Sequence, residues 1–329
     1  MKIAVIGSGA WGTALALHFS KEHDTVLLTK NQATASKLLY DRENRKYLPH
    51  QIFPPQLKVT SLTDKNSLDE ISIAIIATPT AAIRETLNQL KKLENLPYLL
   101  ASKGFEKESC LLPHQVASEV HPHNRHVGLF AGPTFANELA TGLPSALCIS
   151  TKNLEWGKVM AKALSNNVLR IYANDDPIGV GVGSAVKNVI AIACGFSDGI
   201  YAGSNARAAL ITRGLAEMIR LALALGGKDK TLRGLGGLGD LILTCTGDLS
   251  RNRHVGFKLA QGENLSTILC ELGHVAEGIN TLQWVLKIAK QYQVDMPISQ
   301  TLQAVINGQI KAQDTVDLLM NRLPKLEES

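Results

Sequence analysis

Lys2-Ile3-Ala4-Val5-Ile6-Gly7-Ser8-Gly9-Ala10-Trp11-Gly12 is the stretch that decides the fold. An apolar run with strand character leads into G-x-G-x-x-G, and a helix-compatible segment follows. In that setting each glycine has a separate physical role. Gly7 turns the backbone, Gly9 lets a pyrophosphate come close, and Gly12 lets helix and strand pack together. Backbone N–H groups and the helix dipole then hold the diphosphate. The pattern predicts a nucleotide-dependent oxidoreductase.

Beyond the fingerprint, short β-rich runs alternate with helical ones, the βαβ rhythm. Strands are expected at 25–29, 57–61, 71–78, 98–102, 127–131, 145–150 and 168–172, with helices at 81–93, 112–120 and 156–165. From Asp176-Pro177 onward the periodicity is helical, with main helices at 178–193, 206–225, 278–292 and 297–306. The expected architecture is α/β: a dinucleotide-binding domain at 1–174 with a Rossmann-like, mostly parallel sheet, then an all-helical substrate domain at 175–329.

The second strand speaks to the cofactor. Asp or Glu at its tip would accept from the ribose hydroxyls of NAD. Here Thr25-Val26-Leu27-Leu28-Thr29 ends in Lys30-Asn31, and Asp24 stands at the strand's beginning. A cation without a competing carboxylate suits a 2′-phosphate, so NADP(H) is expected to serve at least as well as NAD(H).

With 329 residues the chain is long enough for two domains. Its net charge of +5 is spread without basic blocks, which suits small anions and argues against a nucleic-acid partner. The five cysteines are widely spaced and contain no C-x-x-C, as in a chain kept reduced. The first residues enter a strand directly and no uncharged apolar run reaches about 18 residues, so a cytoplasmic location without membrane insertion is expected. His121, His123 and His126 share a segment with Pro122 and Arg125, which predicts an exposed loop and no metal site.

In an open parallel sheet, ligands bind beyond the carboxyl ends of the strands. Three strand-tip segments qualify: Thr78-Pro79-Thr80, Ser102-Lys103-Gly104 and Gly132-Pro133-Thr134-Phe135-Ala136. Lys187 and Asn188 interrupt an apolar helical run, a costly place for an ammonium unless it has a partner or a use. Asp240, after the flexible-looking Gly236-Gly237-Leu238-Gly239, could orient that lysine. Ser250-Arg251-Asn252-Arg253 offers hydroxyl, guanidinium and amide at a helix start, a set able to hold a phosphate.

Taken together, Gly-Ser-Gly-Ala-Trp-Gly, Ser102–Gly104, Gly132–Ala136, Val186–Ala191, Gly237–Leu241 and Ser250–Asn252 resemble, in order, the motifs of bacterial NAD(P)-dependent glycerol-3-phosphate dehydrogenases. The segment 205–218 is similar as well. The resemblance implies reversible reduction of dihydroxyacetone phosphate to sn-glycerol 3-phosphate for phospholipid synthesis, in a homodimer. It implies that Lys187 transfers the proton, assisted by Lys103 and Asp240. Lys103, Gly132, Thr134, Lys187, Asp240, Ser250, Arg251 and Asn252 would meet substrate. Ala10, Trp11, Lys30, Lys103, Ala136, Arg251, Val275 and Glu277 would meet the cofactor. Two other readings suit the residues less well: a β-hydroxyacid or ketopantoate-type dehydrogenase, which needs no phosphate grip, and a non-catalytic NADP(H) sensor, which needs neither lysine.

Overall fold

The structure is a computed structural model that describes residues 1–64, 66–272, 277–310 and 314–315. Its strands are β1 (Lys2–Ile6), β2 (Asp24–Thr29), β3 (Glu43–Asn44), β4 (Leu48–Ile52), β5 (Lys58–Ser61), β6 (Ile73–Ile76), β7 (Tyr98–Leu100), β8 (Val127–Ala131), β9 (Ser145–Ser150) and β10 (Leu169–Asn174). The helices between them are α1 (Ala10–Phe19), α2 (Gln32–Asp41), α3 (Ile83–Gln89), α4 (Pro113–Val120), α5 (Ala136–Thr141) and α6 (Leu154–Leu164).

Eight of the strands form one sheet in the order β10-β9-β8-β7-β6-β1-β2-β5, and β3 pairs with β4 in a separate antiparallel hairpin. Neighbours in the large sheet are parallel, except that β8 meets β9 antiparallel. The apolar runs of β9 and β10 suggest strands continuing the parallel set; instead this last pair runs against the rest. The only helix between β8 and β9 is the short α5, and a tight return favours the antiparallel partner over a crossover. Helices cover both faces of the sheet, and Ile3, Ala4, Val5 and Ile6 are all fully buried. That explains why the strands lack polar alternation.

After Asn174 the chain is helical: α7 (Pro177–Gly199), α8 (Gly203–Ala224), α9 (Asp229–Leu232), a π-helical turn at Leu235–Gly239, α10 (Asp240–Thr246), α11 (Arg251–Ala260), α12 (Leu265–Leu272), α13 (Glu277–Gln291) and α14 (Pro297–Ile306). Helix α7 is the axis. Pro177 opens it, with the fixed φ and missing donor a first turn tolerates. Asp176 caps it, accepting from Gly179 N at 2.9 Å, and its other oxygen accepts from Lys228 N at 2.8 Å. By length and hydropathy α7 could cross a membrane, but 89% of its apolar window is buried inside the protein, as befits a core helix.

The glycine-rich run before Asp240 is packed rather than flexible. A Cβ on Gly183 of α7 would lie 2.4 Å from Gly236 O, so the turn can press on α7 only because that side chain is missing. The histidine segment is an exposed loop at Pro122, His123, Arg125 and His126, as expected, but His121 turns inward. His121 is 4% exposed and its Nδ1 shares a hydrogen bond with the Tyr98 hydroxyl at 3.1 Å.

Candidate active site

The fingerprint lies at the switch point of the sheet, where β1 has β2 on one side and β6 on the other. Gly7 N donates to Leu28 O of β2 and Ala77 N donates to Ile6 O, fixing the loop between both neighbours. A Cβ on Gly12 would sit 1.9 Å from Gly7 O, whereas a Cβ on Gly9 would meet nothing within 4 Å. Gly12 thus closes the helix onto the loop, and Gly9 leaves open space at the N-terminus of α1. Next to the loop, the buried Trp11 Nε1 and Thr78 Oγ1 have no hydrogen-bond partner among the described residues. Open space beside free helix-terminal donors and unpaired polar atoms fits a dinucleotide diphosphate.

At the tip of β2, Lys30 is exposed. Asp24 is at the opposite end of that strand and pairs with Lys58 at 2.8 Å. Asn31 accepts from Thr34 N and caps α2. Ala136 begins α5 and packs against the core that also contains α1. Val275 lies outside the described residues.

Beyond the tip of β7, side chains from distant parts of the sequence converge. Lys103 leaves the tip of β7 in a loop pinned where Thr80 Oγ1 donates to Lys103 O at 2.7 Å and the Ser102 hydroxyl donates to Thr78 O. Its Nζ donates to Asp240 Oδ2 at 3.0 Å. Lys187 of α7 donates to Asp240 Oδ1 at 2.5 Å and to Thr244 Oγ1 at 2.8 Å, and Thr244 in turn donates to Asp240 O at 2.6 Å. Asp240 is 1% exposed and Lys187 5%. The two lysines, one after a strand and one on a core helix, therefore share one buried carboxylate.

Their electrostatics differ. Burial brings the Lys187 ammonium down to about 8; Asp240 opposes the shift and Lys103 adds to it. For Lys103, burial pulls downward too, but attraction and hydrogen bonding from Asp240, with help from Glu277, raise it above the ordinary lysine value. Burial also raises the Glu277 carboxyl, against the pull of Arg251, Lys103 and Lys187.

The remaining site residues flank this cluster. The Gly132–Ala136 loop runs beside the π-helical turn, with Pro133 Cγ 3.5 Å from where a Gly239 Cβ would stand. Thr134 Oγ1 donates to Gly132 O at 3.4 Å. Ser250 caps α11, its hydroxyl accepting from Arg253 N at 3.3 Å, and Arg251 is exposed at the first helical position. Asn252 bridges helices: Nδ2 donates to Asn188 Oδ1 at 3.0 Å and Oδ1 accepts from Gly278 N at 3.1 Å. Much of its hydrogen-bonding capacity is used within the protein. Thr244 was not among the residues expected from sequence; it lies one helical turn after Asp240, and that i, i+4 spacing is the signal that could have found it.

A dinucleotide loop at the switch point of a mostly parallel sheet, with a lysine–carboxylate–lysine cluster joining that sheet half to a helical half, defines a nicotinamide-nucleotide-dependent dehydrogenase. Similarity to known proteins narrows the class. Residues 2–157 match the model for the NAD-dependent glycerol-3-phosphate dehydrogenase N-terminus, and residues 176–317 match the model for its C-terminus. The chain belongs to that family.

Among its relatives, proteins named glycerol-3-phosphate dehydrogenase [NAD(P)+] from Neisseria meningitidis and Dechloromonas aromatica are each 48% identical. They cover 99% of this chain and 100% and 99% of their own lengths. A crystal structure of glycerol-3-phosphate dehydrogenase from Coxiella burnetii superposes with a TM-score of 0.91 at 36% identity, covering 98% of this chain and 99% of that one.

Proposed function

We propose that this chain catalyses the reversible NAD(P)H-dependent reduction of dihydroxyacetone phosphate to sn-glycerol 3-phosphate, with Lys187 as proton donor and acceptor. The observation that carries the mechanism is the shared carboxylate, with Lys187 and Lys103 held on the two oxygens of buried Asp240. The cofactor would be held by Gly7, Gly9, Ala10, Trp11 and Gly12 at the start of α1, with Lys30, Ala136, Val275 and Glu277 around it. Bound there, the reduced nicotinamide supplies a hydride to the carbonyl carbon.

An ammonium has three N–H donors. Asp240 and Thr244 occupy two of those on Lys187, and the third would serve the substrate oxygen. As the carbon–oxygen π bond breaks, its electron pair takes that proton, leaving a secondary alcohol and a neutral amine that solvent reprotonates. In the oxidation direction the neutral amine removes the hydroxyl proton. Lys103, which stays charged, stabilises negative charge developing on the oxygen. Arg251 and the first amides of α11 receive the phosphate, while Gly132, Thr134, Ser250 and Asn252 shape the surrounding wall.

The sheet half, 1–174, carries the cofactor and the helical half, 175–329, most of the substrate contacts. Family resemblance supports a cytoplasmic homodimer that supplies glycerol 3-phosphate for phospholipid synthesis. Light scattering that counts one chain or two tests the assembly.

Loss of NADPH absorbance on adding dihydroxyacetone phosphate, with no loss on adding ketopantoate or a 2-oxo acid, is the expected result. Turnover of the oxo acids alone would redirect the assignment, and no turnover of any substrate would favour a sensor. In the same assay Lys30→Ala should raise KM for NADPH several-fold, roughly the effect of one exposed ion pair, and leave KM for NADH in place. Equal effects on both cofactors would remove Lys30 from the 2′-phosphate.

A further inference from the structure

The mechanism above gives no role to the hairpin β3–β4. Its base is closed by Arg42, whose NH2 group donates to Phe53 O at 3.0 Å and to Pro54 O at 2.5 Å, and by Glu43, which accepts from His50 N at 2.7 Å. This holds Asn44 in place. The Asn44 side chain is 3% exposed and reaches into the fingerprint, where Nδ2 donates to Ser8 O at 2.9 Å and to Thr13 Oγ1 at 2.8 Å. Ser8 lies between the first two glycines, and Thr13 directly follows the third.

A trans peptide is planar, so its C=O and N–H point in opposite directions. There are no cis bonds among the described residues. Drawing the Ser8 carbonyl toward Asn44 therefore turns Gly9 N–H the other way. That N–H meets no acceptor among the described residues, and the space off Gly9 is open.

We propose that Asn44 is a positioning residue for the cofactor diphosphate: by holding the Ser8 carbonyl and the Thr13 hydroxyl it aims Gly9 N–H at the phosphate oxygens. The proposal rests on the reading of Gly7–Gly12 as the dinucleotide loop. Asn44 touches no cofactor atom itself, and it makes the hairpin a part of the binding site despite its distance in sequence from the fingerprint.

The test compares wild type, Asn44→Ala and Asn44→Asp by thermal melting, by KM for NADPH and for dihydroxyacetone phosphate, and by inhibition constants of ADP and adenosine against NADPH. Asp keeps the size of Asn but cannot donate to Ser8 O, so it remains informative if Ala disturbs the hairpin. KM for NADPH and the ADP constant should rise about tenfold in the alanine variant, the scale of a lost hydrogen bond to a charged group, and further in the aspartate variant, whose charge opposes the diphosphate. KM for dihydroxyacetone phosphate and the adenosine constant should stay within about twofold of wild type. Unchanged ADP inhibition in both variants, or equal weakening of ADP and adenosine, overturns the role of Asn44 and leaves the loop assignment intact. Failure of wild type to bind NADPH or ADP overturns both.

Discussion

Lys187 is charged or neutral within the range of ordinary assay buffers because burial lowers its pKa to about 8. A general acid works best when its pKa lies near the operating pH, and the sign of its pH dependence follows from the direction of reaction. In the proposed mechanism reduction needs the ammonium, so its rate should hold below about pH 8 and fall above it; oxidation would need the amine and should rise over the same interval. Opposite limbs in the two directions, measured at saturating substrates, check this, and parallel limbs would exclude Lys187 as the proton carrier. Replacing Lys103 by Met removes a charge that pushes Lys187 down, so both limbs should move to higher pH. Lys187→Ala should lower kcat roughly a hundredfold or more while the Kd for NADPH changes little, as fluorescence titration would show.

Between elements, the analogous device is the clamp joining α8 to α14. Glu217 is fully buried, and its carboxylate accepts from Ile298 N at 2.5 Å and from the Ser299 hydroxyl at 2.9 Å, so one helix supplies the N-terminal acceptor for another. Burial outweighs those hydrogen bonds and the nearby Arg220, raising the carboxyl from 4.5 to about 7. The folded state therefore holds a proton that the unfolded chain has lost. This contribution to stability is complete below about pH 4.5 and disappears as pH rises through 7, a change of about 3 kcal/mol. Urea unfolding at pH 5 and pH 8 should show the stability advantage of wild type over Glu217→Gln shrinking by that order; a constant difference would mean that Glu217 does not titrate in this window. Other elements show how much the sequence reveals. Helix α7 is readable because Pro177 opens it and an apolar run continues it, and β1 because both of its faces are buried. Asn44 is not readable: its importance lies in what it touches, and nothing in its own sequence neighbourhood announces a carbonyl across the fold, whereas Thr244 becomes readable once Asp240, four residues before it, has been singled out. The reversed direction of β9 is equally invisible, since buried parallel and antiparallel strands are both apolar.

Asp240 joins the two halves of the molecule. It belongs to the helical half, yet one oxygen holds Lys187 from that half and the other holds Lys103 from the tip of β7. Because the carboxylate is 1% exposed, solvent cannot take its place if it is neutralised. Asp240→Asn keeps the size and removes the charge, leaving two ammonium groups close together with no anion between them. Breaking a buried pair by removing one partner costs about 3–5 kcal/mol, so the variant should unfold at distinctly lower urea concentration at pH 7. Part of that loss should return by pH 9, where Lys187 can discard its proton. The catalytic consequence has its own direction: Asp240 raises Lys187 against burial, and without it the proton of Lys187 leaves at lower pH. The reduction limb of any remaining activity should therefore move to the acid side, opposite to the shift expected for Lys103→Met. A variant with wild-type stability and a limb still near pH 8 would show that this carboxylate neither ties the halves together nor sets the charge of the lysine, and the convergence seen here would be incidental to catalysis.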